Sequence, residues 1–284
     1  MIRRSIAAFL ALGVCAFLVF AAFKWSQRTD NMLLGPFFAH GARNERVVAL
    51  TFDDGPNPPY TDKILTILEH DHVHATFFAV GRAVVAHPAT IAREARDGDA
   101  IENHSWSHEH LILESPSSVR RSLRRTSDAI RRITGMAPTL MRPPFGQRDG
   151  WVLAAAFREH VIPVMWSVPL AYDWESPPPA VIAARILSHV RPGDIIVLHD
   201  GNRGEPANRQ ASVQATALII AALKARGFAF VTVPDLMHRS CRQPEESRPR
   251  GCAADRDEQN ARTAIAPDRE PSRRAPKSHR PDAP

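Results

Sequence analysis

The stretch Val47-Val48-Ala49-Leu50-Thr51-Phe52-Asp53-Asp54-Gly55 reads as a strand that delivers two carboxylates to its own end. A short run of apolar and β-branched residues closed by a turn signal suits a strand covered on both faces, as in a parallel sheet. Asp-Gly by itself marks a turn equally well. The buried strand ahead of it changes the weighting, because two adjacent carboxylates in a low-dielectric pocket repel each other. A divalent cation relieves that repulsion by holding at least one of them as the anion.

Outward from this strand, short apolar runs alternate with helical patterns from about Arg46 to Leu236, the signature of β/α units around a parallel sheet. Helices are expected over Tyr60 to His70, Thr90 to Arg96, Pro116 to Thr134, Asp149 to Glu159, Ala180 to Val190 and Ser212 to Arg226. Further strands are expected over Ala75 to Val80, Val161 to Val168, Ile195 to Leu198 and Phe228 to Val233, with Thr139-Leu140-Met141 between. In the helix from Pro116, Val119, Leu123, Ile130 and Ile133 make the apolar stripe, and Gly135 is placed to end it. The chemistry-bearing residues fall at or just past strand ends: Asp53, Asp54, His104, Arg142, Asp173 and His199. In parallel β/α architectures those ends share one rim, so residues far apart in sequence meet there.

His104-Ser105-Trp106-Ser107-His108 sets two imidazoles four residues apart, facing one point if the segment is helical. With Asp54 they make a His-His-carboxylate set suited to Zn²⁺ or a similar ion, with positions left for water. Asp53 is then free to act as a base on that water, which is hydrolytic chemistry. Arg142 precedes Pro143-Pro144-Phe145-Gly146, a rigid loop in which a guanidinium can hold a carboxylate. His199 closes an apolar strand and fits either a core histidine or a general acid.

The two ends bound the compartment. Arg3 and Arg4 precede an uncharged apolar stretch, Ser5 to Phe23, closed by Lys24 and Arg28. At ~1.5 Å per residue it is long enough to cross a ~30 Å hydrocarbon core, and no small-x-small cleavage site follows it. Residues 1–28 are therefore expected to be an uncleaved transmembrane signal-anchor in the inner membrane, with the remainder periplasmic or extracellular and Cys15 inside the bilayer. Residues 29–45 read as a linker and 46–238 as the catalytic domain. Residues 239–284 are rich in Pro, Arg and acids and are expected to be disordered. Cys241 and Cys252 can close a small loop in an oxidising compartment. The formal charge is +6. The arginines form no stripe with interleaved aromatics, so a solvated surface is expected and not a nucleic-acid partner.

Together these motifs resemble the polysaccharide deacetylases of the NodB-homology type, carbohydrate esterase family four, over roughly Val47 to Leu236. T-F-D-D-G at 51–55 and H-S-x-S-H at 104–108 are specific as a pair; R-P-P-F-G at 142–146 and L-H-D at 198–200 add to them. The resemblance implies an α/β fold, a distorted (β/α) barrel of about seven parallel strands. It implies Asp53 as catalytic base, Arg142 as the residue orienting it and His199 as general acid. Asp54, His104 and His108 would hold a divalent metal, Zn²⁺ first, with Co²⁺, Mn²⁺ or Ni²⁺ as alternatives. The backbone N–H of Phe145 would face the oxyanion, with Asp173 and Trp174 also on the oxyanion and substrate side. The implied reaction removes N-acetyl groups from an N-acetylglucosamine-containing glycan: peptidoglycan, chitooligosaccharide or exopolysaccharide. Two other readings keep the site: deacylation of a lipid-linked amide sugar, and a glycan-binding domain with weakened turnover. The chain departs from the family pattern at Phe145, usually tyrosine, and at Val197, usually leucine. Leu170 stands where the family has an aspartate that tunes the acid histidine, so slower or differently pH-tuned activity is expected unless Asp173 shifts to serve in its place.

Overall fold

The protein is described here by a computed structural model covering residues 2–28, 31–169, 171–244, 246, 248, 249 and 252. Its centre is β1 (Val47–Asp53), every residue of which is buried. Around it lie β2 (Thr76–Ala79), β3 (Ala100–Asn103), β4 (Leu140–Met141), β5 (Ile162–Pro163), β6 (Ile195–His199) and β7 (Ala229–Phe230). The strand order is β5-β4-β3-β2-β1-β6, and β7 pairs the first two residues of β1. Every pairing is parallel, and the sheet curls into a half-barrel. The nine described helices are α1 (Ile2–Ser26), α2 (Tyr60–His70), α3 (Gly81–Ala86), α4 (Pro88–Arg96), α5 (Pro116–Thr134), α6 (Gly150–Arg158), α7 (Pro179–Leu187), α8 (Gln210–Ala225) and α9 (Val233–Cys241).

The period-two alternation of β1 sorts its side chains onto two faces. Val48, Leu50 and Phe52 pack outward under α2, α7 and α8, against Ile64, Ile182 and Ile219. Val47 and Ala49 point the other way, into a cluster with Phe78, Ile195 and Leu236. Thr51 and Asp53 continue this second face, so the inner side of the sheet turns from apolar to polar toward the strand's carboxyl end.

α5 shows how the sequence sets an element's limits. Ser115 accepts from the Ser118 amide at 3.2 Å, Pro116 occupies the first turn, and Gly135 ends the helix at φ 77° with its amide on the Arg131 carbonyl. The strands at the edges are shorter than the apolar runs suggest. Only Ile162 and Pro163 of the run from Val161 pair in the sheet, and Phe38 then takes over the pairing. Its amide donates to the Pro163 carbonyl at 2.9 Å and its carbonyl accepts from Met165 at 2.8 Å. Phe37 and Phe38 are fully buried, so this part of the expected linker is packed structure. At the other end the run from Phe228 pairs only through Ala229 and Phe230. Thr232 then caps α9, accepting from the Asp235 amide at 3.3 Å.

α9 continues through position 238, where the sequence placed the end of the domain. It ends at Cys241, which forms a disulfide with Cys252, itself buried beside α9. Most of the expected disordered tail, residues 253–284, lies outside the described residues, as does Leu170. At the amino end α1 covers the apolar stretch. Among the described residues no helix is long and apolar enough to cross a membrane, so the structure does not support the expected signal-anchor.

Candidate active site

The carboxyl ends of β1, β3 and β6 and the loop after β4 meet around one cavity of about 300 Å³. Asp53, Asp54, His104, His108, Phe145, Trp174 and His199 all line it. Register explains part of this convergence. Asp53 on β1 pairs with His199 on β6, so the two side chains at issue begin from neighbouring positions of adjacent strands.

Arg142, wholly buried, stands behind the rim. Its Nη1 donates to Asp53 Oδ1 at 2.6 Å and to Thr51 Oγ1 at 2.7 Å, and Nη2 donates to the Met165 carbonyl at 3.4 Å. Its guanidinium also lies over the Phe78 ring at 4.1 Å. Burial lowers the Arg142 pKa and the Asp53 carboxylate opposes that loss. The pair is a buried charge satisfied by a buried countercharge, which costs several kcal/mol to break from one side. Among the described residues, no donor is bonded to Asp53 Oδ2.

The histidine pair comes together by a route the sequence did not predict. Residues 104–110 are not helical; Ser105 and His108 adopt left-handed φ of 64° and 59°. Glu109 holds the loop, accepting from Ser105 Oγ at 2.6 Å, from the Ser107 amide at 3.0 Å and from Ser122 Oγ at 2.7 Å. Asn103 adds a bond from the Ser105 amide at 2.9 Å. Sequence reasoning passed over Glu109, although an acid among three hydroxyl and amide donors is a recognisable loop-organising signal.

The residues fit a divalent metal. Nε2 of His104 and of His108 lie 3.4 and 3.0 Å from Asp54 Oδ1, and one donor atom from each of the three residues falls within a 4.8 Å group. Asp54 Oδ1 is buried with no hydrogen bond, which leaves a lone pair unanswered in the protein itself. His104 Nδ1 lies 2.7 Å from the Arg142 carbonyl. A carbonyl only accepts, so Nδ1 carries the proton and Nε2 keeps the lone pair turned to Asp54. Burial pushes the Asp54 carboxyl up, and imidazoles around it, wherever they carry a second proton, hold it well below its ordinary value. Burial lowers the His108 pKa, favouring the neutral, ligating form.

His199 is supported from behind. Asp173, almost wholly buried, holds its Nδ1 at 2.9 Å and its backbone amide at 2.8 Å, and takes a third bond from Ser212 Oγ at 2.7 Å. Burial alone would lower the imidazole pKa; the Asp173 carboxylate overrides it and raises it to about 9. Asp173 is thus a partner of His199 and not a wall of the cavity. Trp174 is the residue of that pair that faces the cavity, edge-on to the His199 ring at 5.0 Å. Phe145, at φ 59° and partly exposed, stacks on His110 at 3.9 Å. Trp166, Arg203 and Arg209 also line the cavity, and the sequence offered no motif for them.

Fold and site together define a parallel β/α hydrolase with a three-ligand divalent-metal site. Residues 40–159 match the family model described as polysaccharide deacetylase. A peptidoglycan-N-acetylglucosamine deacetylase of Bacillus cereus is 34% identical over 218 residues, which are 77% of this chain and 76% of that one. A chitooligosaccharide deacetylase of Bradyrhizobium is 36% identical over 199 residues, covering 67% of this chain and 90% of that one. A crystal structure of a peptidoglycan N-acetylglucosamine deacetylase, bound to 4-naphthalen-1-yl-N-oxidanyl-benzamide, superposes with a TM-score of 0.66. It is 35% identical and covers 70% of this chain and 91% of that one. The chain belongs to the polysaccharide deacetylase family, hydrolases of N-acetyl amide bonds on glycans.

Proposed function

We propose that this protein removes N-acetyl groups from an N-acetylglucosamine-containing glycan, with Asp53 as base and His199 as acid. The observation that carries the reading is a pair of independently supported groups lining one cavity: Asp53 held by Arg142 and His199 held by Asp173. Asp54, His104 and His108 would hold the ion, and a borderline cation such as Zn²⁺ suits their two nitrogens and one oxygen. When bound, it supplies a Lewis acid and a lowered pKa for the attacking water. Arg142 fixes one oxygen of Asp53, leaving the other to take a proton from the water. His199, protonated up to about pH 9, donates to the leaving amine. The backbone N–H of Phe145 faces the developing oxyanion, and Trp166 and Trp174 offer ring faces to the sugar.

Relatives named for peptidoglycan and for chitooligosaccharide support both substrate classes. The disulfide between Cys241 and Cys252 favours an oxidising, exported location. A catalytically weakened binding domain is not favoured, because Asp173 supplies the carboxylate that the sequence lacks at position 170. Mass spectrometry of N-acetylglucosamine oligomers incubated with the metal-loaded protein tests the function. Appearance of free-amine products is expected, and intact oligomers at every metal tried would refute it.

A further inference from the structure

The loop after β6, residues 200–209, carries two carboxylates and two arginines, and their pairing is unequal. Asp200 is buried and accepts from Thr61 Oγ1 at 2.6 Å. Glu205 is taken by Arg82, whose Nη1 lies 2.7 Å away. Arg209 is buried and donates to two backbone carbonyls, those of Gly201 at 2.6 Å and Trp174 at 3.2 Å. Arg203 is exposed and, among the described residues, has no carboxylate partner. Its guanidinium lies over the Phe145 ring, 5.1 Å from the centroid, on the wall of the catalytic cavity.

The backbone fixes this placement. Arg203 sits at φ 54°, a left-handed conformation that costs a non-glycine residue about 1 kcal/mol or more. Three bonds hold it there: Gly204 donates to the Asp54 carbonyl at 3.0 Å, Arg82 donates to the Arg203 carbonyl at 2.6 Å, and Glu205 donates to the Asn202 carbonyl at 2.8 Å. The tip is thus tied to the main chain of Asp54 itself. A strained cation, with Glu205 already taken by Arg82, Asp200 buried away from it beside Thr61, and its own head on the wall of the reaction cavity, is set to meet an anion brought by the substrate.

We propose that Arg203 is a specificity-determining residue that reads a carboxylate on the sugar beside the reacting N-acetyl group, so that the preferred substrate is an anionic glycan. This rests on the deacetylase reading above. The lactyl carboxylate of a muramic-acid residue and the ring carboxylate of a hexuronic acid share the required chemistry.

The test measures kcat/KM for acetate release by the metal-loaded full chain on four oligosaccharides of equal length. They are a chitotetraose, a peptidoglycan tetrasaccharide with free lactyl carboxylates, the same tetrasaccharide with those groups amidated, and an oligomer alternating N-acetylglucosamine with hexuronic acid. A carboxylate-bearing substrate is expected to be preferred about tenfold over its neutral counterpart, as a charge-assisted contact implies. That ratio shrinks as salt is added. Arg203→Gln brings the ratio close to one, and Arg203→Lys retains part of it because the charge stays. Whichever carboxylate is preferred, the assignment stands and its source is identified. Equal rates on acid and neutral forms, or a preference that Arg203→Gln leaves intact, overturn the assignment while the deacetylase reading survives. No acetate from any of the four overturns both.

Discussion

Asp53 and Asp54 are adjacent in sequence but opposite in circumstance, and their neighbours decide their work. Asp53 has one oxygen bound by Arg142, whereas Asp54 has a buried oxygen with no donor and two imidazoles at hand. Asp53→Asn is expected to lower kcat by about a hundredfold or more while leaving stoichiometric metal uptake intact, measured by mass spectrometry of the native protein. Asp54→Ala should abolish that uptake. Asp173→Asn tests the acid. His199 must be protonated to donate, and Asp173 is what keeps it so up to about pH 9. Without that charge, burial pulls the imidazole down against the remaining charges of Asp53 and Asp54, so the basic limb of the pH–rate profile should move down from about 9. A basic limb that stays in place would remove Asp173 from the account. The sequence made Asp53, Asp54, both ligand histidines, Arg142 and His199 legible because each sits in a motif at a strand end. Asp173 was harder to place, since only the fold shows that its carboxylate turns back onto the His199 ring and amide.

Elements with explicit stop signals were read well, and those governed by tertiary context were not. α2 and α5 run over the residues expected, because α5 has Ser115, Pro116 and Gly135 as markers and α2 ends its apolar face at His70. Gly135→Ala forces a Cβ into φ 77° and is expected to cost about 1 kcal/mol, read as a lower denaturant midpoint with unchanged slope. The run from Val161 looked like one long strand, but Pro163 has no amide to donate and Phe38 arrives from far upstream to take over the edge. Spacing alone lets the two histidines face one point only if the loop is helical, and it is not. Left-handed residues bring the rings together instead, and the bonds to Glu109 that hold them depend on Ser122 of α5, which local spacing cannot reveal.

At the scale of the whole molecule, the curled parallel sheet sets site and stability together. The sheet's buried acids predict a pH dependence. Burial raises Glu102, whose carboxylate accepts the Thr139 and Leu140 amides, to about 8, and Asp99 to about 7. Each binds its proton more tightly folded than unfolded, so its contribution is complete below about pH 4 and lost as pH rises toward 7 or 8. Denaturant resistance should therefore fall from about pH 5 to 8, and Glu102→Gln should flatten that decline. The packed amino-terminal segment was least legible: Arg148 draws the Gln27 and Arg28 carbonyls onto the active-site loop at 2.9 and 2.5 Å, a contact between residues more than a hundred positions apart. The measurement that bears most directly on the central claim is acetate release from N-acetylglucosamine oligomers by wild type and Asp53→Asn, each carrying one equivalent of divalent metal. The account predicts steady release by the wild type and almost none by the variant. Equal release by both would contradict it.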